Sequence, residues 1–159
     1  MSYETTFVSL SIMKTFNVLF LCTGNSARSI IAEALVTTIS QGKLIGYSAG
    51  SHPKGLVHPI TEELAIKMGY PKEKLRSKSW NEFSHPEAPK MDFIITVCDN
   101  AKGEVCPIWP GHPATIHWGL FDPALALGSY EEKKKFFCDV RDQLKEKIQT
   151  LINFTLYTN

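Results

Sequence analysis

The stretch TFNVLFLCTGNSARSIIAEALVTTI, residues 15–39, decides how this chain folds. Its first part, Thr15–Cys22, is nearly continuously apolar from Val18 to Leu21, the pattern of a strand buried on both faces. Its last part sets Ile30, Ile31, Ala34 and Leu35 at helical spacing, so a helix is predicted to begin near Ser26–Arg28. Between strand and helix lie only small or polar residues. A strand, a short loop and a helix in direct succession open a parallel α/β fold.

The rest of the chain continues the alternation. Leu44–Ser48 reads as a second strand closed by Gly50, and HPITEELAIKMG (58–69) as a helix with Pro59 in its first turn and Gly69 as its stop. Segment 71–90 is polar and proline-containing, with a short helical piece near Trp80. KMDFIITVC (90–98) is a clear strand, ATIHW (114–118) a short fourth one, and 99–114 a long loop rich in glycine and proline. A last helix is expected from about Glu131 to Ile152, its apolar stripe running through Phe136, Phe137, Val140, Leu144, Ile148, Leu151 and Ile152. The fold class is therefore α/β, a three-layer sandwich about a parallel sheet.

Composition narrows the function. The 159 residues suit one domain with a real core, and 17 basic against 16 acidic residues leave a formal charge of +1. No basic cluster suggests nucleic acid, since Lys133–Lys135 follow Glu131 and Glu132 as a mixed, solvated helix face. No apolar stretch spans a bilayer, and the start has no basic segment ahead of a long apolar one. No membrane partner and a cytoplasmic location are expected. The four cysteines, Cys22, Cys98, Cys106 and Cys138, read as reduced thiols. Seven residues separate Cys98 from Cys106, which is not the pair spacing of a structural zinc site. His112 and His117 read as surface or packing residues, so no metal is assigned.

Cys22 ends the first strand, where ligands of parallel α/β folds bind. The backbone N–H groups of Thr23, Gly24, Asn25, Ser26, Ala27, Arg28 and Ser29 can cradle a tetrahedral oxyanion. Asn25 tolerates left-handed backbone and ties the loop together, and Arg28 supplies two donors. Ser29 can donate to the Cys22 sulfur. The same groups are expected to lower the Cys22 pKa and make it a nucleophile. FDPA brings Asp122, a proton donor for a departing oxygen. Two plainer readings stand beside these: Cys22 as a buried strand end with Arg28 on the surface, and Asp122–Pro123 as an ordinary turn.

Taken together, VLFLCTGNSARS, SAGS, VCDNAKGEVCPIWPG, IHWGLFDPA and the terminal helix resemble arsenate reductases built on the low-molecular-weight protein tyrosine phosphatase fold. The resemblance covers residues 15–155 and implies a four-stranded parallel sheet. It implies Cys22 as nucleophile, Arg28 as anion holder and Asp122 as general acid. Asn25 and Ser29 match the positions that brace the loop and stabilise the thiolate. Cys98 and Cys106 fall where the reductases carry two further redox cysteines. Residues 1–14 are then an N-terminal extension and 15–159 one catalytic domain.

The activity implied is reduction of arsenate to arsenite through a Cys22–arseno adduct and a cysteine relay. Phosphate or sulfate fit the same cradle. No tightly bound cofactor is expected, and the sequence leaves open whether a monovalent cation braces the loop through Asn25 and nearby oxygens. The external thiol reductant is thioredoxin by resemblance, with glutathione and glutaredoxin as the other donors. Ala124 follows Asp-Pro where phosphatases of this fold carry aromatic residues, which favours a small inorganic anion over phosphotyrosine. The rival readings are a phosphotyrosine phosphatase, with Cys98 and Cys106 as bystanders, and a non-enzymatic oxyanion or arsenic sensor. Cys138 reads as a buried structural thiol, and Trp109, Trp118 and Phe121 as residues that pack the lids and shield the anion site.

Overall fold

The computed structural model describes residues 14–98 and 109–157. Residues 1–13 of the expected extension, and Cys106 with most of its loop, lie outside the described residues. Four parallel strands form one sheet: β1 Phe16–Cys22, β2 Leu44–Gly50, β3 Phe93–Thr96 and β4 Ala114–His117, in the order β2-β1-β3-β4. The three α-helices among the described residues are α1 Arg28–Ile39, α2 Pro59–Lys67 and α3 Tyr130–Leu156. The three-layer α/β sandwich read from the sequence is thus the observed fold, with short 3₁₀ turns at Lys72–Lys74, Trp80–Phe83 and Pro123–Leu125.

β1 lies at the centre because its side chains are apolar on both faces. Val18, Phe20 and Cys22 enter one core with Ile31, Leu35, Leu64, Phe137 and Leu144 of the helices. Leu19 and Leu21 enter a second core with Phe83, Met91 and Ile94, roofed by Trp80 and Trp109. The sheet register pairs Cys22 with Gly50 and Leu21 with Thr96, so the carboxyl ends of β1, β2 and β3 finish together at one edge. Functional loops gather at such an edge.

α3 begins at a capping box, Ser129 with Glu132, and runs four residues beyond the predicted Ile152 end. Its stripe is narrower than expected: Phe136 is 41% exposed and leans on Phe121, ring centroids 5.7 Å apart. Cys138 is half-buried at the margin of the helix-side core rather than inside it, because Phe137 and Val140 take the inward positions.

Two glycines permit close contacts. A Cβ on Gly50 would stand 2.5 Å from the Thr23 carbonyl oxygen, so β2 can lie against the loop after β1 only with glycine there. A Cβ on Gly46 would meet Val36 Cγ1 at 2.3 Å and the Glu33 carbonyl at 2.9 Å, since α1 packs directly on β2. Gly46→Ala is expected to destabilise the chain by about 1–3 kcal/mol through overpacking, read by urea unfolding. A loss under about 0.5 kcal/mol would contradict this packing, because it is what a surface change costs.

Candidate active site

The loop between β1 and α1 is tied from outside. Thr23, Gly24 and Ser26 each turn their carbonyls to the following segment, accepting from the N–H groups of His52 (2.9 Å), Lys54 (2.9 Å) and His58 (3.0 Å). Peptide carbonyls and N–H groups point in opposite senses, so this lacing favours N–H groups turned to the loop's interior. Asn25 takes φ 44, the left-handed geometry expected of it. α1 then starts without a side-chain cap and without an acid in its first turn, which leaves its first N–H groups to an anion.

These residues bound a cavity of about 230 Å³, lined by Cys22, Thr23, Gly24, Asn25, Ser26, Ala27, Arg28, His52, Lys54 and Asp122. The two loops that carry Cys22 and Asp122, far apart in sequence, therefore do face one another. Arg28 spans them: Nη1 donates to the Leu120 carbonyl at 2.9 Å, and Nη2 stands 3.4 Å from Asp122 Oδ2. Arg28 Nε is buried without a protein partner. Asp122 Oδ1 accepts from the Ala124 N–H at 3.0 Å, which fixes the carboxylate at the start of its 3₁₀ turn.

Cys22 is 3% exposed. Its Sγ lies 2.9 Å from Ser29 Oγ and accepts from the Asn25 N–H at 3.2 Å. Asn25 Nδ2 donates to Ser29 Oγ at 2.7 Å, so the Ser29 hydroxyl hydrogen is left to point at sulfur. Burial pushes the Cys22 thiol up, and a charge on Cys98 adds to that; the Ser29 hydroxyl and Arg28 pull it down. The balance is upward, the reverse of the sequence expectation, because Cys22 is enclosed on both sides of the sheet edge. Nearby, burial together with Lys54 and Lys133 holds the His58 imidazole below its ordinary value, against the pull of Asp122.

Cys98 follows β3 and is 2% exposed. The Thr23 N–H donates to its Sγ at 3.3 Å, and Thr23 Oγ1 lies 3.7 Å away. A second thiol is thereby seated against the same loop. Cys106 lies outside the described residues. Among the described residues no cluster of three or more His, Cys, Asp and Glu is placed to hold a metal ion. His117 pairs with Thr96 Oγ1 at 2.6 Å.

The aromatic residues expected over the site are elsewhere. Trp118 packs on Phe20 at 6.1 Å beneath α3, and Trp109 on Trp80 at 6.3 Å on the opposite face of the sheet. Phe121 is 52% exposed against Phe136. Their chain neighbourhood to the anion loop did not carry over, because strand β4 and the loops around it turn Trp109 and Trp118 to the cores and leave Phe121 at the surface against α3. His52 and Lys54 were missed: nothing in their local pattern marks a cavity wall. Glu33, Ser48, Tyr70 and Lys78, which stand behind Asn25, were missed too, although an acid inside the apolar run of α1 is a visible anomaly.

Comparison with known proteins places this geometry. The family model for low molecular weight phosphotyrosine protein phosphatase matches residues 17–157. An arsenate reductase of Oceanobacillus iheyensis is 37% identical over 133 residues, 83% of this chain and 91% of that protein. A solved arsenate reductase in its oxidized state superimposes with TM-score 0.69 at 25% identity, covering 89% of this chain and 99% of the other. The phosphate-binding state of an arsenate reductase gives TM-score 0.66 at 25% identity, with the same coverage.

Removing the Ser29 hydroxyl should raise the Cys22 pKa further, since it is the largest influence opposing burial. Ser29→Ala is expected to slow peptide-resolved alkylation of Cys22 at neutral pH by about tenfold, one pKa unit in thiolate fraction. The alkylation-against-pH curve should move to higher pH. An unchanged curve would contradict the hydrogen-bond direction assigned to Ser29.

Proposed function

The chain belongs to the low molecular weight phosphotyrosine protein phosphatase family, and we propose that within it this chain is an arsenate reductase that uses Cys22 as nucleophile. The observation that carries this reading is Cys98, a second buried thiol held by the Thr23 N–H against the loop that bears Cys22. A hydrolase needs water at that stage and has no use for another sulfur there. The Oceanobacillus iheyensis relative is an arsenate reductase, and the cavity beside Cys22 carries three basic side chains, Arg28, His52 and Lys54, suited to an oxyanion.

Arsenate enters the cradle bounded by residues 23–29, using N–H groups other than those of Thr23 and Asn25, which already donate to the Cys98 and Cys22 sulfurs, and Arg28 takes its oxygens, including through the unpartnered Nε. Burial pushes the Cys22 thiol up beforehand, and the arriving dianion accepts its proton. That proton passes on to the Asp122 carboxylate; the thiolate then attacks arsenic, and Asp122 returns the proton to the departing hydroxyl, which leaves as water. For this, Asp122 has to let go of Arg28, and the anion provides the reason by taking the guanidinium.

The Cys98 thiolate next attacks Cys22 Sγ. The sulfur–arsenic bond breaks with its electron pair going to arsenic, so arsenic(V) becomes arsenic(III) and a Cys22–Cys98 disulfide forms. Cys106 attacks Cys98, returning Cys22 as thiolate and leaving a Cys98–Cys106 disulfide. An external dithiol, thioredoxin in this reading, reduces that pair. The residues from 15 onward act as the single catalytic domain.

Cysteine variants test the order of these steps. Cys106→Ser is expected to release one arsenite per chain and stop with Cys22 and Cys98 joined, seen by peptide mass spectrometry under non-reducing conditions. Cys98→Ser is expected to bind arsenate without releasing arsenite. Continued turnover of Cys106→Ser with thioredoxin would overturn the relay.

A further inference from the structure

Lys78 is 8% exposed, yet it has no place in the reaction above. Its Nζ donates to the Arg76 carbonyl at 2.9 Å and to Ser48 Oγ at 3.3 Å, and stands 3.7 Å from Glu33 Oε1. Three oxygens thus surround one buried positive charge, the kind of set that would hold a small monovalent cation. The Lys78 main chain is committed as well, its N–H donating to Asn25 Oδ1 at 2.9 Å. A second cavity of about 480 Å³, which shares no lining residue with the first, reaches Glu33, Tyr70 and Lys78 from the surface.

The donor inventory fixes how these groups are connected. A carboxylate only accepts, so Ser48 donates to Glu33 Oε1 at 2.6 Å. Ser48 Oγ then accepts from Lys78 and from Asn25 Nδ2, the latter at 3.1 Å. The other Asn25 amide hydrogen goes to Ser29, whose own hydrogen goes to Cys22. Asn25 Oδ1 is held by the Lys78 main-chain N–H, so both amide hydrogens face the serines, and Glu33, by accepting the Ser48 hydrogen, leaves Ser48 Oγ to accept one of them. A buried carboxylate stays charged when it has a counter-ion.

We propose that Lys78 is a positioning residue for the Cys22 reaction: its ammonium, paired with Glu33, is the loop-bracing cation, built into the chain, and it keeps Ser29 turned toward the Cys22 sulfur. The proposal rests on Cys22 as the nucleophile and not on arsenate as the substrate. It stands in place of an external monovalent cation, because the Lys78 ammonium already sits among Ser48 Oγ, the Arg76 carbonyl and Glu33. Other charged groups face the pair. Tyr70 OH donates to Glu33 Oε2, while Arg76 and Glu82 act on Lys78 in opposite senses. Burial draws the Lys78 ammonium below its ordinary pKa and Glu33 opposes this. At the other end, Arg28 and Cys98 act directly on Cys22, and Asp122, His52 and Lys54 share its cavity.

The test follows Cys22 alkylation by iodoacetamide in the full chain, resolved by peptide, against pH and against added cation. Wild type is expected to ignore potassium and methylammonium at about 0.1 M, where surface charge effects are already screened. Lys78→Ala is expected to alkylate about tenfold more slowly at neutral pH, with its pH curve moved upward by about one unit. Methylammonium, sized for the missing group, is expected to return most of that loss. If Lys78→Ala does not fold, Lys78→Met with Glu33→Gln removes both charges together, and its pH curve is expected to move upward as well. An unmoved curve in a folded variant would overturn the proposal, as would a wild-type rate that rises several-fold with potassium. Alkylation needs no arsenate, so a protein that fails to reduce arsenate can still pass or fail here.

Discussion

The site depends on one residue held in an unfavourable backbone shape. Asn25 sits at φ 44, and its side chain is fully paired: Oδ1 to the Lys78 N–H, Nδ2 to Ser29 and Ser48. Left-handed geometry costs a non-glycine residue of order 1 kcal/mol, and buried hydrogen bonds of about that size each offset it. Fixing Asn25 sends its N–H to the Cys22 sulfur and turns the neighbouring carbonyls outward, where His52, Lys54 and His58 hold them. The concave face of N–H groups follows from those constraints together.

Arg28 joins the two halves of the cavity and is shared between them. It lies 3.4 Å from Asp122 and bonds the Leu120 carbonyl, so the loop that carries the proposed acid is anchored by the group proposed to bind the anion. Both side chains of the pair are partly buried, at 13% and 24% exposure, so the attraction is stronger than at an open surface. An entering oxyanion competes for the guanidinium. In the proposed mechanism, substrate binding and release of Asp122 are then one event, which brings the carboxyl group into service only when there is something to protonate.

Much of this was legible in the sequence because it is local. The run Thr15–Cys22 followed by Ile30, Ile31, Ala34 and Leu35 fixed strand, loop and helix within a residue or two, and with them the place of Cys22 and Arg28 in one cavity. Asp122 was found from an Asp-Pro turn, and the parallel sheet put it opposite Cys22. What stayed hidden depends on distant partners. Lys78 meets Glu33 across 45 positions of sequence, and no periodicity announces the pairing. Trp109, Trp118 and Phe121 were placed over the site by their position in the chain, whereas packing drew them to other rings. The upward push of burial on the Cys22 thiol was not foreseen, because donors are visible in a sequence and depth of burial is not.

The central claim is that the sulfur chemistry ends in electron transfer to arsenic and not in hydrolysis. The most direct measurement is arsenite released by the reduced, desalted full chain given excess arsenate, with and without thioredoxin, its reductase and NADPH. Hydrolysis of an aryl phosphate is followed in parallel. The account predicts at most one arsenite per chain without the reducing system, many with it, and only slow aryl phosphate hydrolysis. No arsenite in any mixture, glutaredoxin and glutathione included, together with rapid aryl phosphate hydrolysis, would contradict it.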